Sequence, residues 1–219
     1  MTTIWLARHA ETSAPTVFHG AESDIGLSEL GRRQAAAAAD WFAPLRVTAV
    51  VSSGMLRARD TAAPIAAACR VPHSIEPDLH ERRVGAMSGT SFSSESGPWP
   101  QTIDRWEDGD TTFSTPGAES FDDLRRRLLP ALERVAAAHP GGRVVVVAHG
   151  VVCKVLLLCL LPGHGPGAWR RLGRVANLSV SELCYSARGW DTGGLLQVPP
   201  PVAALTGGAP TGVGEKSQG

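Results

Sequence analysis

The sequence predicts an α/β protein with a mostly parallel central sheet. Short apolar segments alternate along the chain with longer segments of helical character, as β-α units do and bundles or sandwiches do not. The run Arg143-Val144-Val145-Val146-Val147-Ala148 has no polar alternation, as a strand buried on both faces requires. Phe121, Leu124, Leu128, Leu132 and Val135 recur at helical spacing against Arg125, Arg126, Glu133 and Arg134.

The elements follow in order. Residues 3–7 read as a short buried strand. Ser28 is a helix N-cap ahead of an Ala-rich helix over 30–42 that turns Arg32, Arg33 and Gln34 outward. A second strand covers 47–51. The helix over 55–68 contains Pro64, which is expected to kink or delay it. Residues 73–76 form a short strand. Residues 83–117 are rich in Gly, Ser, Thr and Pro, with one helix near 101–107; so long an insertion suggests function. The amphipathic helix spans 119–138 and ends before Gly141-Gly142. The valine strand, 143–148, leads into an apolar helix over 151–161. Segments 178–185 and 189–198 form a closing hairpin. In 198–219, nine of 22 residues are Gly or Pro, so this stretch is expected to be a flexible tail on a domain of residues 1–197.

Composition excludes several classes. The chain of 219 residues carries 21 Lys and Arg against 21 Asp and Glu. A net charge of zero argues against a protein built to grip nucleic acid or an acidic membrane. The longest apolar run, 155–161, is far short of the roughly twenty residues that span a bilayer. No leader segment is visible at the N-terminus. Cys69, Cys153, Cys159 and Cys184 are scattered through apolar segments, without the density of a disulfide framework or the close pairs of a zinc site. Buried thiols in a cytoplasmic protein are expected, with no metal and no cofactor.

The chemistry gathers after the strands. The first ends in Arg8-His9-Ala10-Glu11-Thr12, the second in Ser52-Ser53 with Arg57 a turn into the next helix, and the valine strand in His149-Gly150. Parallel strands bring these ends to one sheet edge, where α/β proteins bind ligands. Glu81 follows the short strand over 73–76. Arginine forks suit phosphate oxygens, and a helix starting at Gly150 adds backbone N–H groups. A neutral imidazole can attack phosphorus, and a carboxylic acid can protonate the leaving oxygen and then activate water.

Six segments carry a resemblance. Arg8-His9-Ala10-Glu11-Thr12 is similar to the R-H-G-E-T signature of the histidine phosphatase superfamily, the phosphoglycerate-mutase-like proteins. Leu27-Ser28-Glu29-Leu30-Gly31-Arg32-Arg33-Gln34-Ala35 and Ser52-Ser53-Gly54-Met55-Leu56-Arg57 resemble its next two elements. Leu79-His80-Glu81 with Gly85 and Gly89, Gly117-Ala118-Glu119-Ser120 and Val147-Ala148-His149-Gly150 resemble three more. Asn177 begins a strand similar to one in the phosphatase branch. The resemblance covers about residues 3–185 and implies a three-layer α/β/α, phosphoglycerate-mutase-like fold. It implies that His9 is the phosphorylated nucleophile, that Glu81 is the proton donor, and that Arg8, Arg57, His149 and Gly150 bind phosphate. Ala10 stands where Gly is usual, Pro15 near where Asn is frequent, and Met87-Ser88-Gly89 replaces W-E-G. The expected activity is metal-independent hydrolysis of a small phosphomonoester through a phosphohistidine. The alternatives are a phosphoglycerate mutase-type phosphotransferase, transfer to an acceptor other than water, and a catalytically quiet phosphate-binding protein. Segment 84–117 has Arg105 as its one basic residue against Glu95, Asp104, Glu107, Asp108 and Asp110, so an acidic lid unsuited to a second substrate anion is expected. His19 is a candidate to touch substrate, and Trp99 and Trp106 in the insertion are candidates to cap the site; Glu11 and Thr12 either touch substrate or hold the loop. The family's members include monomers, dimers and tetramers, so a homodimer is compatible.

Overall fold

A computed structural model describes residues 1–91 and 97–206. Its sheet has six strands: β1 (Thr2–Arg8), β2 (Ala49–Ser52), β3 (His73–Ile75), β4 (Arg143–Ala148), β5 (Val180–Ser186) and β6 (Gly189–Gln197). They lie in the order β3-β2-β4-β1-β5-β6. β3, β2, β4 and β1 run parallel to one another, while β5 pairs antiparallel with β1 and forms an antiparallel hairpin with β6. The expected mostly parallel sheet is thus present, with the hairpin at one edge.

The three layers follow from strand periodicity. Successive side chains point to opposite faces, and both faces of this sheet are covered. Ile4, Leu6, Val144 and Val146 pack on one side with α4 (Phe121–Ala138) and α5 (Gly150–Leu160). Trp5, Ala7, Val145 and Val147 pack on the other with α1 (Glu29–Phe42) and α2 (Leu56–Cys69). α3 (Pro98–Glu107) lies within the long insertion, and its Trp106 is buried in the first of these cores.

Local rules fix the helix starts. The Ser28 hydroxyl accepts from the Gly31 N–H, and Ser120 and Asp123 form a reciprocal capping box. Gly31 is required for close approach, since a Cβ there would lie 2.0 Å from the Glu11 carbonyl oxygen.

The structure differs from expectation at several points. Gln34, expected to turn outward, is buried, and its Oε1 accepts from the Glu11 N–H. Pro64 neither delays nor divides α2, which runs from Leu56 to Cys69. Only Cys153 of the four free cysteines is buried; Cys69, Cys159 and Cys184 are half-buried. The proline-rich segment after 197 includes a helix, α6 (Pro200–Leu205), whose Val202 packs into the α1–α2 core. Pro200 suits the first helical position because its fixed φ is already helical and its missing N–H is not needed there. The rest of the expected tail, 207–219, lies outside the described residues. Among the described residues no helix is long and apolar enough to cross a membrane.

Candidate active site

The C-terminal ends of β1, β2 and β4 open on a cavity of about 680 Å³. Arg8, His9, Arg57, Glu81 and Gly150 line it. His149 is fully buried and absent from that wall; it stands behind His9, with ring centroids 5.3 Å apart.

His9 is held in one orientation. Its Nδ1 is 2.7 Å from the Ala10 carbonyl oxygen, which can only accept, so Nδ1 carries the proton and Nε2 keeps its lone pair. Burial first, then Arg8 and Arg57, lowers its pKa well below the ordinary histidine value. His149 is lowered in the same way by burial, then by Arg57 and His9. Its Nε2 is 2.8 Å from the Ser53 hydroxyl, while its buried Nδ1 has no partner among the described residues.

The arginines are fixed differently. Arg8 donates from Nη1 to the Val175 carbonyl at 2.8 Å and leaves a buried Nε unsatisfied. Arg57 donates to the carbonyls of Ser23 and Gly20, both at 2.8 Å, and so ties down the loop that forms one cavity wall. Burial lowers the pKa of both, which still lie far above neutrality as guanidinium groups do. Gly150 opens α5 beside Arg8; a Cβ there would sit 3.4 Å from Arg8 Nε.

Glu81 is held from behind. Its Oε1 accepts from the Arg82 N–H at 2.9 Å. Arg127 donates to the carbonyls of Asp78 and His80 and, at 3.3 Å, to that of Glu81, and it pairs with the buried Glu119. The Gly117-Ala118-Glu119-Ser120 motif therefore braces the Glu81 loop rather than lining the cavity.

Other expectations divide. Glu11 lines the cavity and also accepts from the Ser28 hydroxyl, and buried Thr12 bridges to Leu27. His19 lines the cavity, but its Nε2 engages the Ala14 carbonyl and its Nδ1 the Ser23 hydroxyl, so its ring serves its own loop. Trp99 lines the cavity, whereas Trp106 is core. Glu95, part of the expected acidic lid, lies outside the described residues.

Arg82 was not expected inside. It reads as a surface charge, yet it is fully buried, with Nε donating to the Glu119 carbonyl and its guanidinium 5.1 Å from the Trp99 ring and 5.3 Å from that of Trp106. Burial lowers its pKa to about 10. Ser53, Lys154, Arg174 and Asn177 also escape sequence reasoning as site residues. Asn177 donates to the His9 carbonyl at 3.0 Å and pins the His9 backbone. Among the described residues no three His, Cys, Asp or Glu side chains are grouped to hold a metal ion.

A sheet edge with two neutral imidazoles, two arginine forks and a carboxyl group defines a phosphate-handling α/β protein. Residues 4–195 match the model of the histidine phosphatase superfamily (branch 1), and the chain belongs to that family. It is similar to a metal-independent phosphoserine phosphatase of Arabidopsis thaliana, 36% identical over 87% of this chain and 79% of that protein. It is also similar to a probable phosphoglycerate mutase of Erwinia tasmaniensis, 31% identical over 89% of this chain and 90% of that one. Among solved structures, a mycobacterial glucosyl-3-phosphoglycerate phosphatase superposes with a TM-score of 0.75 at 27% identity, over 89% of this chain and 98% of that one.

Proposed function

We propose that the protein is a metal-independent phosphomonoester hydrolase working through a phosphohistidine on a small phosphorylated metabolite. The observation that carries this reading is the state of His9: neutral, with Nε2 free and Arg8 and Arg57 beside it. The Nε2 lone pair forms the bond to phosphorus as the bond to the leaving oxygen breaks. Arg8, Arg57 and the α5 N-terminus hold the equatorial oxygens. With the Ser53 hydroxyl donating to its Nε2, His149 carries its proton on Nδ1 and adds a donor from behind His9. Glu81, as the acid, protonates the leaving oxygen; as carboxylate it then takes a proton from the water that splits the phosphohistidine. The names of the Arabidopsis and mycobacterial relatives support hydrolysis.

The test is p-nitrophenyl phosphate hydrolysis in the presence of EDTA. Activity is expected to survive EDTA and to fall at least about a thousandfold in His9→Ala, the scale on which single members of nucleophilic sites act. Activity that needs added metal, or that survives in His9→Ala, contradicts the reading. The Erwinia relative's name supports a second reading as a mutase; phosphoryl transfer primed by bisphosphoglycerate and faster than hydrolysis favours it.

A further inference from the structure

The long insertion is acidic in sequence, but Asp104, Glu107 and Asp110 are paired with arginines and none of the three lines the cavity. Arg170 pairs with Asp104 and Glu107, and Arg105 with Asp110. What lines the cavity is the opposite charge. Arg8, Arg57, Arg82, Lys154, Arg170 and Arg174 face Glu11 and Glu81. With Arg170 neutralised by the insertion, a bound phosphate dianion still leaves positive charge uncompensated.

That excess sits in one place. Residues 173–179 are stitched across the end of β1: the Arg8 guanidinium donates to Val175, the Leu178 N–H to the Arg8 carbonyl, and Asn177 to that of His9. Lys154, a turn into α5, donates to the Gly173 carbonyl at 2.6 Å and lies 4.8 Å from the Trp169 ring. Gly173 has φ +78°, a left-handed conformation that turns the chain and sets Arg174 on the cavity wall. Arg174 has no hydrogen bond or ion pair among the described residues, and Lys154 has only the one carbonyl. Phe18, Trp99 and Trp169 supply an aromatic wall of the same cavity. A volume of about 680 Å³ is in the range that holds a whole small ligand rather than a phosphate alone.

We propose that Lys154 and Arg174 form a second anion subsite, and that the substrate is a phosphomonoester whose leaving group carries a carboxylate. This rests on the phosphohydrolase reading for the position of the phosphate. The phosphate seats on Arg8, His9 and Arg57, the carbon skeleton lies along the aromatic wall, and the carboxylate meets the two cations, of which Arg174 is the fork suited to it.

The test compares 3-phosphoglycerate with glycerol 3-phosphate, which has a hydroxymethyl group in place of the carboxylate. Binding is measured calorimetrically on the full chain carrying His9→Ala, so that turnover does not intrude, with and without Lys154→Met and Arg174→Gln together. The carboxylate ligand is expected to bind roughly tenfold more tightly, and the pair of substitutions to remove that preference while leaving glycerol 3-phosphate affinity unchanged. Equal affinities before substitution, a preference that survives it, a loss of affinity for both ligands alike, or no binding of either overturns the proposal. Failure of the hydrolase reading shows separately, as a native chain that binds with this preference and turns over no phosphoester.

Discussion

His9 owes its state to burial, to its two sequence neighbours and to one arginine remote in sequence. The motif around it names the residue, and the Ala10 carbonyl one position away fixes its proton on Nδ1. Its low pKa comes from burial and from Arg8 and Arg57, the last delivered by a different strand. No local pattern encodes that, so the proposed nucleophile could be named from the sequence while the environment that keeps it neutral could not. The sign is definite: the attacking form is the neutral one, which persists above the lowered pKa. The acid limb of kcat/KM is therefore expected well below pH 6.5, the ordinary histidine value. A limb at or above pH 6.5 in a steady-state profile contradicts this account. Arg82 shows the reverse failure. A charge is expected at the surface, and nothing in its neighbours announces that Trp99 and Trp106 enclose it.

Elements were legible where periodicity and capping agree. α1 begins at the serine cap read from the sequence, α4 follows the helical period read there although its Ser120 cap was not, and the valine strand lies at the centre of the sheet, between β2 and β1. α6 was not, because three consecutive prolines read as a tail while the burial of Val202 depends on α1 being in place. The start of α4 also shows how an element serves the site at a distance. Glu119 is 3% exposed and takes a two-point pair from Arg127, which in turn grips the carbonyls of the Asp78 to Glu81 segment. Burial is the largest single influence and acts to raise the Glu119 pKa, but the Arg127 hydrogen bond, the Arg83 N–H and the charges of both arginines together outweigh it and leave the carboxyl below its ordinary value. Glu119→Ala strands the arginine, and losing one partner of a buried pair costs about 3–5 kcal/mol. Urea unfolding is expected to show a loss of that order, with a lower kcat because Glu81 is no longer braced. A loss under about 1 kcal/mol contradicts the bracing role.

At the scale of the whole molecule, the six-stranded sheet, its two covered faces and the gathering of β1, β2 and β4 ends followed from alternation of elements and from motif order. The paired insertion carboxylates and the cationic rim did not, because they depend on which loops meet. Placing two imidazoles inside the fold has a thermodynamic consequence. His9 and His149 are neutral when folded and take up protons near pH 6.5 when unfolded, so the unfolded state binds more protons as pH falls. The melting temperature is expected to be level above about pH 7 and to decline from about 6.5 downward, toward the lowered folded values. The carboxyls of Glu119 and Asp123, lowered from 4.5 and 3.8, act in a more acidic window, so a decline between pH 6.5 and 5 belongs to the histidines. His9 and His149, which are lowered furthest, supply most of it, with a smaller part from His73, also lowered by burial. A flat calorimetric profile across that interval contradicts the neutral pair. The central claim is the covalent step, and rapid mixing of the native chain with p-nitrophenyl phosphate, quenched in base where phosphohistidine persists, tests it most directly. Intact and fragment masses are expected to show one added phosphoryl group, confined to the His9 peptide and absent from His9→Ala. A burst of nitrophenol with no phosphorylated protein, or a phosphoryl group on any other residue, would contradict it.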